Sequence, residues 1–369
     1  MNFDFSEDQQ LLRDQAERFL SERDAVGRSR KHLDAGGGFD AELWSEIANL
    51  GWVGAVLPED AGGAGLGYID LCVIAEELGR ANAAVPFSSS VYLAAEALAR
   101  FGNQTQQQHW LPRMASGEVV GTLAASERAG ALTAAHVRTQ VVGGKISGTK
   151  KPVADAADAQ ILITLAREDS GLGLFLVEAE QAEVTRTPLE MNDASRPAAK
   201  VVFDGAKAER LGSINGWDAY QELLDRAAVL MAFEQIGGAQ ACLDMAKNYA
   251  LERYAFGRPI GSFQAIKHKL ADVYIAIELA RSNAYFGAWA LNAGAAELPV
   301  AAAAARVAAC RAFELASKEN IQTHGGMGFT WELNCHLYYR RAKALGLSLG
   351  SAKLWKDKLI ARIEARNDA

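Results

Sequence analysis

The chain has 369 residues, 50% of them hydrophobic, and its formal net charge of −7 argues against a nucleic-acid-binding protein. It offers no stretch of about 18 consecutive apolar residues to span a bilayer, and its opening MNFDFSEDQQLL shows no secretory signal, so we expect a cytoplasmic protein without membrane insertion. The four cysteines and six histidines are scattered, which predicts free, buried thiols and no disulfide framework or metal site.

The first zone, residues 1–117, is predicted to be entirely helical. Its first helix starts at SEDQ, a capping box with Ser6 as the N-cap and Gln9 reaching back. A later helix in AELWSEIANLGW has Gly51 as its C-terminal stop. We interpret the glycines of GGAGLG, residues 62–67, as a structural turn, because their spacing is not G-x-G-x-x-G and no βαβ unit surrounds them.

The middle zone, residues 118–213, has the pattern of short strands. HVRTQVV and KISG flank a Gly-Gly pair and predict a hairpin. AQILITLA, GLGLFLVE and AKVVFDG are β-rich runs bounded by turn residues. We expect a compact β-sandwich or barrel-like domain here.

The last zone, residues 214–369, returns to long helices. The segment beginning at Phe263 repeats apolar residues three and four apart, as a helix packed against a neighbour does. The following helix has Pro299 in its first turn. The predicted fold is therefore α+β and multidomain: an N-terminal all-α domain, a middle β-sandwich or barrel domain, and a C-terminal four-helix bundle.

Two glycine-containing segments interrupt these last helices. ALERYAFGRPIGSFQ breaks one helix and resumes with Ser262 as the expected N-cap, with Arg253 before the break and Gln264 after it. An inter-helix turn explains this pattern, but an arginine near a helix N-terminus also suits an anion. In IQTHGGMGF, three glycines in four positions end another helix abruptly.

These segments, together with LPEDAGGAGLGYIDLCVIAEELGR, resemble the acyl-CoA dehydrogenases, flavoenzymes that desaturate acyl-CoA thioesters between Cα and Cβ. The resemblance covers essentially the whole chain, and YALERYAFGRPIGSFQAIKHKLAD and QTHGGMGF are its specific signatures. It implies FAD held at a subunit interface, a homo- or hetero-oligomeric dimer of dimers, a role in β-oxidation-type lipid metabolism, and an electron-transferring flavoprotein as partner.

The resemblance also implies which residues hold the adenosine diphosphate part of FAD. The glycines let bare main chain approach it, Arg253 supplies charge to the pyrophosphate, and Arg340 matches a family arginine near this region. The cofactor-binding residues implied in this way are Arg253, Phe256, Gln264, Gln322, Gly325, Gly326 and Gly328.

The chain departs from the family at the catalytic base, a glutamate whose pKa is raised in a dry pocket. In most members the glutamate follows R-x-A-K, and the matching residue of RRAKALGLSLGS is Leu349. A second family position corresponds to Ala227. Asp225 is two residues from that position and faces nearly the opposite side of the helix, whereas Glu234 faces correctly but lies about 10 Å along the axis.

Several explanations of the missing base remain open. Asp225 or Glu234 serves instead, or each is a solvated or capping carboxylate. Alternatively, the chain is one subunit of a heteromer whose partner supplies the base, an arrangement similar to some actinobacterial members that act on steroid side-chain CoA thioesters. A shift of a residue or more in the alignment with the family sequences is a further explanation.

The flavin-facing segments depart as well. The family loop T-E-P-x-A-G-S-D corresponds to ASERAGALTA, which keeps Ser126, a cofactor-binding candidate, and Glu127. The family's Trp-x-Ser/Thr contact falls at KKPVAD, with Pro152 and Ala154 in those places. Flavin contacts there rely on the main chain or are weaker.

We therefore expect an FAD-dependent acyl-CoA dehydrogenase, either self-sufficient or one subunit of a heteromer. A catalytically silent acyl-CoA- and FAD-binding subunit, or a related flavin oxidase with an aspartate base, is the alternative. The small residues at 227–232 leave room for a branched or steroid-like acyl group.

Overall fold

The computed structural model describes residues 6–128 and 130–367. The α-helices are α1 (Glu7–Glu22), α2 (Ala25–Asp34), α3 (Ala41–Asn49), α4 (Tyr68–Arg80), α5 (Glu96–Phe101), α6 (Gln104–Ala115), α7 (Gly216–Glu252), α8 (Gln264–Ala293), α9 (Leu298–His324), α10 (Cys335–Ser348) and α11 (Ala352–Asn367). The strands are β1 (Gly121–Ala124), β2 (Gln140–Val142), β3 (Lys145–Ala154), β4 (Ile161–Glu168), β5 (Gly171–Glu178), β6 (Val184–Leu189), β7 (Ala198–Lys207), β8 (Glu209–Arg210), β9 (Tyr254–Ala255) and β10 (Arg258–Pro259). The helical, β and helical order predicted from the sequence is confirmed.

The chain packs as two compact units that are discontinuous in sequence. The helical unit comprises Met1–Arg30, Tyr68–Ala83 and Ala228–Ala369, and within it α9 packs against α8, α10 and α11. The mixed unit comprises Lys31–Gly67 and Ala84–Ala227 and contains strands β1–β8. The predicted domain boundaries at 117/118 and 213/214 stay predictions, because these units follow packing and not chain order.

The mixed unit is built on one eight-stranded sheet in the order β6-β7-β3-β2-β4-β5-β8, with β1 also paired to β4. The predicted Gly-Gly hairpin is present: β2 and β3 are antiparallel, with Val142 opposite Lys145. Gly143 and Gly144 both have positive φ, as a two-residue hairpin turn requires. Of the interfaces of β4, only those with β1 and β2 are parallel.

Most of the predicted helix ends are confirmed. Ser6 and Gln9 form the capping box of α1. Gly51 follows α3 with a φ of +79° and donates its N–H to Ala48 O. The segment 62–67 is a structural turn as predicted, since a Cβ on Gly63 would lie 2.0 Å from Leu57 O.

The predicted N-cap role of Ser262 is wrong. Ile260–Ser262 forms a single 3₁₀ turn in which Phe263 N–H donates to Ile260 O, so Phe263 becomes the N-cap of α8 without a side-chain cap. The sequence also gave no sign that Ser88–Ala95, expected to be α-helical, is a buried π-helix.

The four cysteines are buried and free, as predicted. Among the residues that the structure describes, no three His, Cys, Asp or Glu side chains are grouped so as to hold a metal ion. In the same part of the chain, none of the helices has both the length and the apolar character that crossing a membrane requires.

Candidate functional site

The turn between α7 and α8 presents an exposed phenylalanine in a strained conformation. Strands β9 and β10 pair as a minimal hairpin whose two loop residues, Phe256 and Gly257, have φ of +53° and +78°. The Phe256 side chain is 96% exposed. A bulky residue with positive φ is unfavourable on its own account, but a two-residue hairpin turn requires positive φ at this position. The turn leaves the Phe256 ring on the surface.

Arg253 stands at the base of this turn with an exposed side chain. Its main chain is fixed, because its N–H donates to Tyr249 O and its carbonyl accepts from Ile260 N–H. Its guanidinium makes no hydrogen bond or ion pair with another residue in the described ranges 6–128 and 130–367. The guanidinium is thus held near the turn and is available to an external anion.

The glycines after α9 serve two different purposes. Gly328 is required by the fold, because a Cβ there would lie 2.4 Å from Ile321 O. Gly325 has φ +61° and ψ −137°, a conformation open only to glycine. Gly326 has neither constraint: its φ is not positive, and no described residue lies within 4 Å of a Cβ built on it. The space beside Gly325 and Gly326 is therefore open among the described residues.

The structure brings these two turns together inside the helical unit. Tyr249 on α7 stacks on His324 with ring centroids 4.2 Å apart, and its hydroxyl donates to Met327 Sδ at 3.8 Å. Lys269 on α8 pairs with Glu319 on α9 at 3.2 Å. The resulting surface, the paired turns, comprises residues 253–264 and 322–329. All seven residues predicted to hold the nucleotide part of FAD lie on it.

Arg340 follows the paired turns in sequence, and its side chain contacts the loop that comes directly after them. Its guanidinium sits over the Trp331 ring, 5.2 Å from the centroid, and Trp331 also stacks on His336 at 4.5 Å. Arg340 is therefore held by aromatic contacts of its own chain.

Leu349, the first predicted base position, occupies a firmly built turn at the end of α10. Its side chain is 5% exposed, and its carbonyl accepts from Trp355 Nε1 at 3.0 Å. Arg306, fully buried on α9, donates to Leu345 O in the last turn of α10. The next residue, Gly350, has φ +99°. The first predicted base position is therefore an apolar side chain in a well-packed turn.

Glu234 lies in the core of the helical unit, with 1% of its surface exposed. Burial lowers the pKa of Arg306, and the neighbouring Cys310 and Glu234 oppose that shift. Arg306 also donates to Gln235 Oε1 at 2.5 Å. The Glu234 carboxylate thus stands where it balances the charge of a buried arginine.

Ala227 and Asp225 lie in the mixed unit. Ala227, the second base position, is fully buried. Asp225 is 4% exposed, and the adjacent Arg226 forms a buried ion pair with Glu96 at 2.5 Å. The second base position is therefore as apolar as the first.

The loop of Ser126, residues 125–128, is organised by a contact that sequence reasoning missed. Lys150 has no exposed side-chain surface, and its ammonium donates to Glu127 Oε1 at 2.7 Å. Ile146, Lys150 and Val153 are the buried side chains of β3, but no pattern in the sequence marks Lys150 as one of them. Pro152 and Ala154 offer no side-chain donor, as the sequence indicated.

Comparison with known proteins gives a consistent result. The family model for the acyl-CoA dehydrogenase N-terminal domain matches residues 6–118, and the model for the C-terminal domain matches residues 215–363. Acyl-CoA dehydrogenase IpdE2 of Mycobacterium tuberculosis is 31% identical over 368 residues, which cover 97% of each protein.

Two solved structures extend the similarity to the whole chain. The ChsE4–ChsE5 complex from Mycobacterium tuberculosis contains a chain with 30% identity and a TM-score of 0.90, and the match covers 99% of both chains. A variant of the Tcur3481–Tcur3483 steroid ACAD gives 31% identity and a TM-score of 0.89, with 98% of this chain and 99% of that chain covered.

Proposed function

The chain belongs to the acyl-CoA dehydrogenase family, and from this premise we propose that it is an FAD-binding subunit of a heteromeric acyl-CoA dehydrogenase whose partner supplies the catalytic base. The observation that carries the proposal is the contrast between two regions of the helical unit. The paired turns leave open space at Gly325 and Gly326 beside the residues proposed to bind the nucleotide, whereas the proposed base position carries the apolar Leu349.

The residues of the paired turns fit the adenosine diphosphate part of FAD. Gly325 and Gly326 leave an open cradle that a Cβ would fill. Arg253 supplies an unengaged guanidinium for the pyrophosphate, and the exposed Phe256 ring offers an apolar face to the nucleotide or to the subunit that brings it. When bound, FAD supplies the electron acceptor for desaturation of the thioester.

The apolar base positions support dependence on a partner. Ala227 and Leu349 have no side-chain group that can accept a proton. Glu234 is proposed to balance Arg306 and not to abstract a proton. The similar ChsE4–ChsE5 and Tcur3481–Tcur3483 proteins are named as pairs, which supports assembly with a second, base-bearing subunit.

We further propose that the substrate is a CoA thioester with a bulky acyl group, such as a steroid side chain. The similarity to a steroid ACAD supports this. An electron-transferring flavoprotein is proposed to receive the electrons. A turnover panel in which straight long-chain thioesters react fastest would contradict the substrate assignment.

Replacing Gly326 by alanine tests the nucleotide cradle. Because the added Cβ meets no atom of the described residues within 4 Å, the midpoint of unfolding should stay unchanged. FAD affinity should fall by about tenfold, since the methyl group keeps the main chain away from the nucleotide. Gly346→Ala is the control, because Gly346 also faces open space but lies outside the paired turns. Equal FAD affinity in both variants would argue against the cradle.

A further inference from the structure

Lys150 is an unusual residue to find at an inward position of a strand. Its side chain is fully buried, and its ammonium donates three hydrogen bonds, to Glu127 Oε1 at 2.7 Å, Ala125 O at 3.1 Å and Leu165 O at 2.5 Å. An ammonium has three donors, so every one of them is used. Leu165 belongs to β4, and the other two acceptors belong to the 125–128 loop.

Glu127 extends this connection to a further segment. Its Oε1 also accepts from Thr139 N–H at 3.0 Å, and its Oε2 accepts from Arg138 N–H at 2.8 Å. The carboxylate thereby joins the 125–128 loop to the chain that enters β2. Four stretches of the mixed unit therefore meet at one buried ion pair.

The protonation states favour this arrangement at neutral pH. Burial lowers the pKa of Lys150 to about 8, although the hydrogen bond and charge of Glu127 act to raise it. Burial acts to raise the pKa of Glu127, but Lys150 and the two main-chain N–H groups outweigh it and lower that pKa. The lysine is thus mostly charged and the carboxylate ionised, as strong charge-assisted hydrogen bonds require.

In the main chain of this loop, two carbonyl groups accept hydrogen bonds and two N–H groups donate none to the described residues. Ala125 O accepts from Lys150, and Ser126 O accepts from Lys151 N–H at 2.8 Å. The N–H groups of Ser126 and Glu127, by contrast, donate to no other residue in the part of the chain that the structure describes. The loop therefore has two consecutive N–H groups that donate to no described residue, while the carbonyls of Ala125 and Ser126 are hydrogen-bonded.

We propose that Lys150 and Glu127 are positioning residues that aim the Ser126 and Glu127 N–H groups at acceptor atoms of the flavin ring, in place of the side-chain donors missing at Pro152 and Ala154. This inference rests on the proposed function, because it takes the 125–128 loop to face a flavin. A flavin ring carries carbonyl oxygens and ring nitrogens, which accept hydrogen bonds from main-chain N–H groups. The ion pair does not touch the ring itself.

The adjacent lysines provide a matched test. In the FAD-loaded protein, with its partner subunit where FAD retention requires one, Lys150→Met removes the buried ammonium, and Lys151→Met removes an exposed one. Lys150→Met should weaken FAD binding by about tenfold and shift the visible absorption bands of the flavin that remains bound. Lys151→Met should leave both at wild-type values, because its contact with Ser126 is made by the main chain.

If Lys150→Met does not fold, a second substitution tests the inference. Glu127→Gln keeps the size and one acceptor oxygen but removes the charge and one of the acceptors, so it should shift the flavin bands in the same direction by a smaller amount. Circular dichroism and the thermal midpoint establish that the variants are folded.

Two results would overturn the inference. One is a folded Lys150 or Glu127 variant with wild-type FAD affinity. The other is weaker binding in which the spectrum of bound flavin does not move, because this would show general support of the fold and no positioning. A wild-type protein that binds no FAD, alone or with its partner, would overturn the proposed function as well, and is thus distinguished from failure of this inference alone.

Discussion

Replacing Gly237 by alanine is expected to lower the free energy of unfolding by about 3 kcal/mol, the upper part of the range for overpacked cores. Within the helical unit, α4 and α7 cross at two glycines. A Cβ on Gly237 would lie 1.8 Å from Glu76 O, and one on Gly79 would lie 1.9 Å from Glu234 O. These neighbours are main-chain atoms of buried helices, so they cannot rotate away as a flexible side chain would.

The control is the same substitution at a helical glycine with open space around it. Gly346 lies in α10, and a Cβ built on it meets no atom within 4 Å among residues 6–128 and 130–367. Because alanine is the better helix former by about 1 kcal/mol, Gly346→Ala should raise the unfolding midpoint, and Gly237→Ala should lower it. Urea denaturation followed by circular dichroism measures both. Midpoints that move together, or an unaffected Gly237→Ala protein, would show that the crossing is not as tight as described.

Replacing Leu349 by glutamate is expected to increase the rate of flavin reduction by an acyl-CoA thioester about 100-fold, within the usual contribution of a general base. The turn that would carry the carboxylate is already held by Trp355 Nε1 on Leu349 O and by Arg306 on Leu345 O. At a position that is 5% exposed, the pKa of a carboxyl group rises toward neutrality. The new group would therefore be suited to accept the α-proton.

Leu347→Glu is the matched control for this gain of activity. Leu347 lies two residues earlier, and its side chain is 67% exposed. A carboxylate there stays in solvent and on another face of the helix, so the rate should remain at the wild-type value. The measurement is stopped-flow absorbance of FAD-loaded protein under anaerobic conditions. Equal rates for the two variants would contradict the assignment of position 349.

Local signals in the sequence predicted much of the fold. The capping box at Ser6, the Gly143–Gly144 hairpin and the abrupt end of α9 all depend on neighbouring residues, and each is found as expected. The residues of the paired turns come from two short segments whose glycines mark turns. The open surroundings of Gly326, in contrast with the tight packing of Gly328, could not be predicted, because both are simply glycine in the sequence.

Features that depend on distant contacts could not be predicted. A lysine in a strand suggests a solvent-facing side chain, and only the partner Glu127, 23 residues away, reveals that Lys150 is buried. The N-cap of α8 was misplaced because a 3₁₀ turn displaced Ser262. The division into two discontinuous units, and the balance between Glu234 and Arg306, likewise arise from packing between helices far apart in the chain.

The central claim is that this chain holds FAD but depends on a partner for the base. The most direct test is to purify the chain alone and together with a second dehydrogenase-like subunit, count FAD in each preparation, and add an acyl-CoA thioester without oxygen. We predict that the visible flavin band bleaches rapidly only in the presence of the base-bearing subunit. Rapid bleaching by the chain alone, at about one FAD per polypeptide, would contradict the claim and show that this chain carries its own base.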